Sequence, residues 1–287
     1  MDRQWRGILY PARLPTFHRL PVPPELADRV RWVWIPEWQL PPGRSSRQDI
    51  LPFPALNLVA GPEGVSLSGP ATRRAFRDLS GSGWVVGMLL RPAAVPFCTA
   101  DPGALRDAEM PFDAPDLHAA VVAAMTGRAS GQAGRVNGPD DAGDARRRRA
   151  AQAAAAWIAG NVPPPDAEAQ LANTLEELIQ SDPSLTRVEQ AAGRLGVSVR
   201  TVQRLARRYV GLPPLAMIRR YRLQEAAERL RSDPDAGIAA IAAELGYADH
   251  AHLAADFRQL LGFTPSGYRR DARADTARSD NAGGSAE

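Results

Sequence analysis

Short apolar runs separated by proline and glycine dominate the first part of the chain. Val30–Ile35 ends at a proline, Ala55–Val59 ends at an Ala-Gly-Pro turn, and Trp84–Leu90 ends at an Arg-Pro pair. Runs of roughly four to eight β-branched and aromatic residues bounded in this way are typical of strands. Because no long helical periods separate them, the pattern predicts an antiparallel sandwich or barrel. We therefore expect a β-rich regulatory or sensor domain over residues 6–125.

The chain after residue 125 changes character twice. Residues 126–144 are rich in Gly, Ser, Asn and Asp and predict a flexible linker, whereas residues 145–180 predict a helical connector. The connector begins with the run Arg146–Arg149, whose role stays open between a solvated helix face and a phosphate contact. The polar, Gly/Ser-rich residues 271–287 predict a disordered tail.

Two short helices joined by a tight turn are predicted around residue 196. Val188–Leu195 has its apolar residues on one helical face, and Val199–Tyr209 has the same pattern. Gly196 can adopt the positive φ that the turn requires, and Ser198 is a suitable N-cap for the second helix. The small Ala192 allows the two helices to approach closely. This pattern describes a helix-turn-helix.

The outward face of the second helix carries the residue types that contact DNA. These are Arg200, Thr201, Gln203, Arg204, Arg207 and Arg208. Arginine can donate two hydrogen bonds to guanine, and glutamine can bond two atoms of adenine. The two arginines nearest the helix end are instead candidates for phosphate contacts. The alternative is a solvated, arginine-rich face on an ordinary helical hairpin.

The same pattern recurs 50 residues later in the chain. Ala242, Leu245 and Gly246 repeat the small residue, the leucine and the glycine of the first copy, and Asp249 takes the place of the serine cap. A helix that is opened by Pro213-Pro214 and runs to about Arg231 separates the copies. A spacer of this length can hold two recognition helices about 34 Å apart, which is one turn of duplex DNA. Two copies with a rigid spacer indicate DNA binding more specifically than one copy does.

Residues 181–270 resemble the DNA-binding domain of AraC/XylS-type transcription regulators. The resemblance rests on Gly211-Leu212-Pro213-Pro214, Arg219-Arg220-Tyr221-Arg222-Leu223 with Glu225-Ala226-Ala227, Ile241–Tyr247 and Gly262–Arg269. It implies an all-α domain of seven helices with two recognition helices in successive major grooves. It also implies a sequence-specific regulator whose partners are double-stranded promoter DNA and RNA polymerase.

The resemblance also assigns base-contacting positions. These are Arg200, Gln203 and Arg204 in the first copy, and His250, Ala251, His252, Ala254 and Ala255 in the second. Ala255 stands where the family commonly has arginine, and Ala254 where it has a hydroxyl residue. We therefore expect the first copy to supply most of the sequence discrimination, and the second mainly to position the protein on the DNA backbone.

The charge distribution agrees with this interpretation but is weaker support. The 287-residue chain has a net charge of +3, and all of its basic residues are arginine. Residues 181–270 contain 14 arginines against nine acidic residues, which is a net charge of +5. Positive charge concentrated in one region is typical of proteins that bind polyanions.

The first part of the chain is similar, though less specifically, to the cupin-like sensor domains that often precede this DNA-binding domain. Trp32 and Trp34 alternate along one strand and share a face, so together with Trp38 they are candidates for an effector pocket. The alternative is that these tryptophans are packing residues. His18 and His118 are the only histidines before residue 250, so we expect no metal and no cofactor.

The sequence therefore predicts an α+β protein with a β-rich, cupin-like barrel or sandwich followed by an all-α double helix-turn-helix domain. We expect a regulator that responds to a small-molecule effector, with a homodimer as a further expectation. The alternatives are a β-barrel enzyme with an appended helix-turn-helix, and a ligand-free regulator whose first domain only dimerises. The single cysteine, Cys98, has no neighbouring base to activate it, so no catalytic residue is predicted. With no apolar run long enough for a membrane helix and no secretory signal, a cytoplasmic location without membrane contact is expected.

Overall fold

Alternation of buried and exposed residues organises the first part of the chain into strands. The computed structural model describes residues 16–50, 53–73, 75–127, 139–233 and 235–283. The strands are β1 (Thr16–Leu20), β2 (Val30–Gln39), β3 (Ser45–Ile50), β4 (Asn57–Gly61), β5 (Gly64–Ser68), β6 (Ala75–Ser80), β7 (Ser82–Trp84), β8 (Val86–Leu90) and β9 (Glu109–Pro111). This confirms the prediction of a β-rich first domain.

Within the described residues the strands form a seven-stranded antiparallel sheet and a separate antiparallel pair. The large sheet has the order β1-β2-β8-β4-β5-β9, with β7 paired to β2 outside this path, and β3 pairs with β6. The long strand β2 directs Val33 and Ile35 into a buried core. Trp32 and Trp34 alternate with these residues and therefore lie on the opposite face of the sheet.

The second part of the chain is helical, as predicted. The helices of the whole described chain are α1 (Val95–Cys98), α2 (Pro115–Thr126), α3 (Pro139–Asn161), α4 (Ala167–Ser181), α5 (Val188–Leu195), α6 (Val199–Tyr209), α7 (Pro214–Ser232), α8 (Ile238–Glu244), α9 (His250–Leu261) and α10 (Pro265–Gly283). A short 3₁₀ turn, Pro92–Ala94, precedes α1.

Three hydrophobic clusters divide these elements. The first joins the large sheet to α2 and α3, with Ile35, Met88 and Leu117 among its fully buried residues. The second joins α4, α5, α6 and the first half of α7. The third joins the second half of α7 to α8, α9 and α10. Because α7 contributes to both C-terminal clusters, one continuous helix fixes the two helix-turn-helix units to each other.

Three segments differ from the sequence-based expectation. The predicted connector, residues 145–180, is divided between two clusters, because α3 packs on the sheet and α4 packs on the first helix-turn-helix. Helix α3 already begins at Pro139, inside the predicted linker, whereas residues 128–138 lie outside the described residues. The predicted disordered tail is helical over residues 271–283, where alanine and arginine, both good helix formers, recur before Gly283.

Buried polar contacts join the sheet domain to α4. The Asn173 side chain accepts a hydrogen bond from the Ala93 backbone N–H at 2.9 Å and donates one to the Asp28 carbonyl at 2.7 Å. Glu176 forms an ion pair with Arg31 of β2 at 2.8 Å and accepts a hydrogen bond from the Tyr221 hydroxyl of α7 at 2.7 Å. A single carboxylate therefore connects strand β2, helix α4 and helix α7.

Candidate nucleic-acid interface

The turn of the first helix-turn-helix has the geometry that the sequence predicts. Gly196 ends α5 with φ 65°, in the left-handed region that favours glycine, and the Val197 N–H donates to the Ala192 carbonyl at 3.0 Å. Ser198 caps α6, because its hydroxyl accepts a hydrogen bond from the Thr201 N–H at 3.1 Å. The start of the recognition helix is therefore fixed by local contacts.

Helix α6 separates cleanly into a buried face and an exposed face. Val202, Leu205 and Ala206 are fully buried in the second hydrophobic cluster. The exposed face carries Arg200, Gln203, Arg204, Arg207 and Arg208. Thr201 is half-buried, and its hydroxyl lies 2.9 Å from that of Ser198, so it belongs to the helix cap as well as to the edge of the predicted DNA surface.

An acidic residue from a neighbouring helix contacts this exposed face. Glu168, in the first turn of α4, accepts a hydrogen bond from Arg204 Nη1 at 2.6 Å through Oε2 and one from Arg208 Nη1 at 2.8 Å through Oε1. The Tyr209 hydroxyl also lies 3.3 Å from Oε1. The hydrogen bond from Arg204 is the main cause that holds the pKa of Glu168 below its usual range. Glu168 is therefore ionised at neutral pH.

The second copy repeats the same local construction. Gly246 follows α8 with φ 69°, and the Asp249 side chain caps α9 by accepting a hydrogen bond from the His252 N–H at 2.7 Å. The predicted residues His250, Ala251 and His252 are all exposed at the start of α9. The His252 ring packs edge-on against Tyr247, with 5.2 Å between ring centroids.

Sequence reasoning missed a basic residue on the face of α9. Arg258 is exposed and lies seven residues after Ala251 and three after Ala255, which places it on the same helical face. This spacing could have been read from the sequence. Deeper in the helix, Asp256 is buried and pairs with Arg219 Nη2 of α7 at 2.5 Å, which anchors α9 to the spacer helix.

The three candidate effector residues lie along β2 and make different contacts. Trp32 packs edge-on against Phe53 at 5.6 Å between centroids, and the Arg19 guanidinium lies 4.1 Å from its ring. Trp34 donates a hydrogen bond from Nε1 to Asn57 Oδ1 at 3.0 Å, and Trp38 donates one from Nε1 to the Ser80 carbonyl at 3.1 Å. Trp32 and Trp34 share a face, as predicted.

Two of these tryptophans cover glycines of the sheet. A Cβ atom at Gly87 would lie 2.0 Å from the Trp34 indole, and one at Gly83 would lie 2.3 Å from the Trp38 indole. Phe53, the neighbour of Trp32, also packs against the hydrophobic cluster of the first helix-turn-helix. Phe53 therefore links Trp32 to this second hydrophobic cluster.

The Cys98 thiol is partly buried in the sheet domain. Burial raises the pKa of the Cys98 thiol to about 12, so the nucleophilic thiolate is scarce at neutral pH. In the part of the chain that the structure describes, no group of three or more His, Cys, Asp and Glu side chains is placed to hold a metal ion. None of the described helices combines the length and the apolar character needed to cross a membrane.

Two capped helix-turn-helix units held by one shared helix, each with an exposed recognition helix, define a double helix-turn-helix DNA-binding domain. Residues 191–271 match a family model described as a helix-turn-helix domain. With the motifs around the spacer helix and the second turn, the C-terminal unit resembles the DNA-binding domain of AraC/XylS-type regulators. Residues 18–111 match a model described as a domain of unknown function (DUF6597).

Individual relatives resemble part of the chain. A Streptomyces antibioticus protein named "Putative AraC-like transcription regulator" is 32% identical over 122 residues, which are 42% of this chain and 38% of that protein. The transcriptional activator RhaS of Escherichia fergusonii is 36% identical over 86 residues, 29% of this chain and 31% of its own length. The chain thus spans less than two fifths of either relative. A ToxT structure from Vibrio cholerae covers 83% of this chain and 98% of its own, with 11% identity and a TM-score of 0.44.

Proposed function

We propose that this protein is a sequence-specific DNA-binding transcription regulator. The observation that carries the proposal is the exposed face of the capped recognition helix α6, which presents Arg200, Gln203 and Arg204 to solvent. These side chains can reach base edges in a major groove, where arginine pairs with guanine and glutamine with adenine. Arg207 and Arg208, near the helix end, are placed to contact phosphates.

The second recognition helix plays a lesser part in base selection. Its exposed residues include Ala251 and Ala255, whose side chains have no hydrogen-bond donors. His250 and His252 are therefore its candidates for hydrogen bonds to bases. Arg258 is placed to add a phosphate contact at the other end of the helix. Helix α7 has 19 residues and is therefore about 28 Å long, which suits two helices that enter successive major grooves on one face of the duplex.

The sheet domain acts as the regulatory part. Trp32, Trp34 and Trp38 form the candidate contact for a small-molecule effector. A change in the packing of the sheet caused by the effector would reach the helical domain through the contacts of Phe53, Asn173 and Glu176. An effector can shift the protein only if it binds one arrangement of the two domains more tightly than the other. The protein would act on promoter DNA in the cytoplasm. It would act there as a homodimer, with RNA polymerase as a partner.

The DNA-binding proposal is tested by selecting sites from a random duplex library. We expect wild-type protein to enrich a motif with two half-sites about 10–11 base pairs apart. On the best site, the dissociation constant should be at least about 10³-fold lower than on scrambled DNA at the same salt concentration. A triple alanine variant at Arg200, Gln203 and Arg204 should fail to enrich this motif. Equal, salt-sensitive binding of wild type to all sequences would refute the proposal, because it would indicate only a positively charged surface.

The effector proposal has its own measurement. A compound library is screened by thermal shift, and each hit is tested for its effect on the dissociation constant for the selected site. Trp32→Phe should weaken the binding of a hit. Trp157→Phe is the control and should not weaken it, because Trp157 lies on α3 and packs on Phe112. Hits that bind without changing DNA affinity would contradict a sensor role.

A further inference from the structure

Glu168 is the acidic residue that contacts the exposed face of the recognition helix, and the way it does so is selective. From each of Arg204 and Arg208 it accepts a hydrogen bond from the Nη1 atom alone. Among the described residues no hydrogen bond is formed by Nε or Nη2 of Arg204. These two donors point from the same edge of the guanidinium, and such an edge forms the two parallel hydrogen bonds that guanine O6 and N7 accept.

We propose that Glu168 is a positioning residue for base recognition, which orients the guanidinium of Arg204 and leaves its Nε–Nη2 edge directed at the DNA. The proposal rests on the proposed function of α6 as a recognition helix. The Arg204 side chain is 51% exposed, so in the absence of a partner it would move among many rotamers. Binding must immobilise such a side chain, which opposes affinity, and an existing hydrogen bond reduces that cost.

The contact is built to hold one orientation. Glu168 itself has three donors around its carboxylate, namely Arg204, Arg208 and the Tyr209 hydroxyl. Its helix begins at a cap in which Asp166 accepts a hydrogen bond from the Ala169 N–H at 2.8 Å, so the backbone that carries Glu168 is fixed. A carboxylate that bonded both donors on one edge of an arginine would leave that edge unavailable to a base. Here it takes one nitrogen from each of two arginines.

The negative charge of Glu168 has two effects on DNA binding. As a charge near DNA, Glu168 weakens binding to every sequence equally. As a positioning group, it strengthens binding to the sequence with the correct base opposite Arg204. The specificity ratio, which is the nonspecific dissociation constant divided by the specific one, reports only the second effect, because the first cancels in the ratio.

The test compares Glu168→Gln with Glu189→Gln in the full-length protein. Glu189 is an exposed residue of α5 that forms no ion pair among the described residues, and its substitution changes the net charge by the same amount. Dissociation constants are measured by fluorescence anisotropy on the selected site, on its single-base variants and on scrambled DNA. Glu168→Gln should lower the specificity ratio about tenfold, chiefly at the base pair that Arg204→Ala also affects. Glu189→Gln should leave the ratio unchanged.

Two further variants make the test decisive. In an Arg204→Ala background, Glu168→Gln should produce no additional loss of specificity, because the group that it positions is absent. Glu168→Asp keeps the charge but shortens the reach, so it should also lose specificity. The inference would be overturned if Glu168→Gln tightened binding equally on all DNA. It would also be overturned if Glu168→Gln still reduced specificity in the Arg204→Ala background. If wild type itself discriminates no sequence, the proposed function fails first, and the inference fails with it.

Discussion

Replacing Glu176 by alanine should destabilise the contact between the two domains. Its side chain is 1% exposed and lies 2.8 Å from Arg31 Nη2 and 3.6 Å from Arg91 Nη1. It also accepts the Tyr221 hydroxyl hydrogen bond at 2.7 Å. Although burial opposes the charged form of Arg31, the attraction of Glu176 raises the pKa of Arg31 above its usual range. Removing the carboxylate would leave a buried guanidinium without its counter-charge.

The size of the effect follows from burial. Breaking a buried ion pair by removing one partner typically costs about 3–5 kcal/mol, because the remaining charge is no longer compensated. Arg31 retains its contact with Gln180 and keeps 13% of its side chain exposed, so we expect a value near the lower end, about 3 kcal/mol. For a protein of this size that corresponds to a fall of roughly 6–12 °C in the midpoint of thermal unfolding.

The neighbouring residue provides a matched control. Glu177 lies on the same helix and pairs with Arg91 at 2.9 Å, but 62% of its side chain is exposed. Exposed pairs contribute about 0–1 kcal/mol, so Glu177→Ala should lower the midpoint by no more than about 4 °C. Both variants are compared with wild type by circular dichroism during heating. Midpoints of the two variants within about 2 °C of each other would refute the reasoning that burial sets the strength of this contact.

Three further outcomes are expected. Arg204→Ala should lose about 1–3 kcal/mol of DNA binding with relaxed preference at one base pair, whereas Arg207→Ala should weaken binding to all sequences and reduce the salt dependence, as salt-titrated anisotropy would show. Gly246→Ala should destabilise the fold by at least about 1 kcal/mol more than Gly196→Ala, measured by urea unfolding. Both glycines have positive φ, but only at Gly246 would a Cβ lie within 2.6 Å of a threonine methyl group. Because burial raises the pKa of Cys98 to about 12, alkylation of the native protein at pH 8 should run about a thousandfold slower than that of a free cysteine. Comparable rates would show that the thiol is accessible and ionised.

The features that the sequence predicts well are those determined by neighbours along the chain. The caps at Ser198 and Asp249 each involve a residue three positions away, and the turn at Gly196 depends on the φ of a single residue. The exposed face of α6 follows from helical periodicity alone. Each of these contacts forms within one or two turns of helix, so a local pattern is enough to indicate it.

The contacts that were missed depend on tertiary packing. Glu168 and Arg204 are 36 residues apart, and Glu176 and Arg31 are farther apart still. Nothing in the spacing of a glutamate on an amphipathic helix shows which distant arginine it will meet. The sequence predicts the helices of the connector but not their packing partners, because whether a helix packs on the sheet or on the next helices depends on surfaces that only the folded chain brings together.

Helix α4 is therefore central to how a signal could reach DNA. On one side Asn173 and Glu176 hold the sheet domain through Ala93 and Arg31. At its first turn Glu168 holds the guanidinium that we assign to base recognition. Because the helix is a rigid body of 15 residues, a displacement at the sheet would also shift the carboxylate at its first turn. An effector that altered the packing of β2 would then change sequence preference as well as affinity, and this distinguishes a signal carried by α4 from one that merely separates the domains.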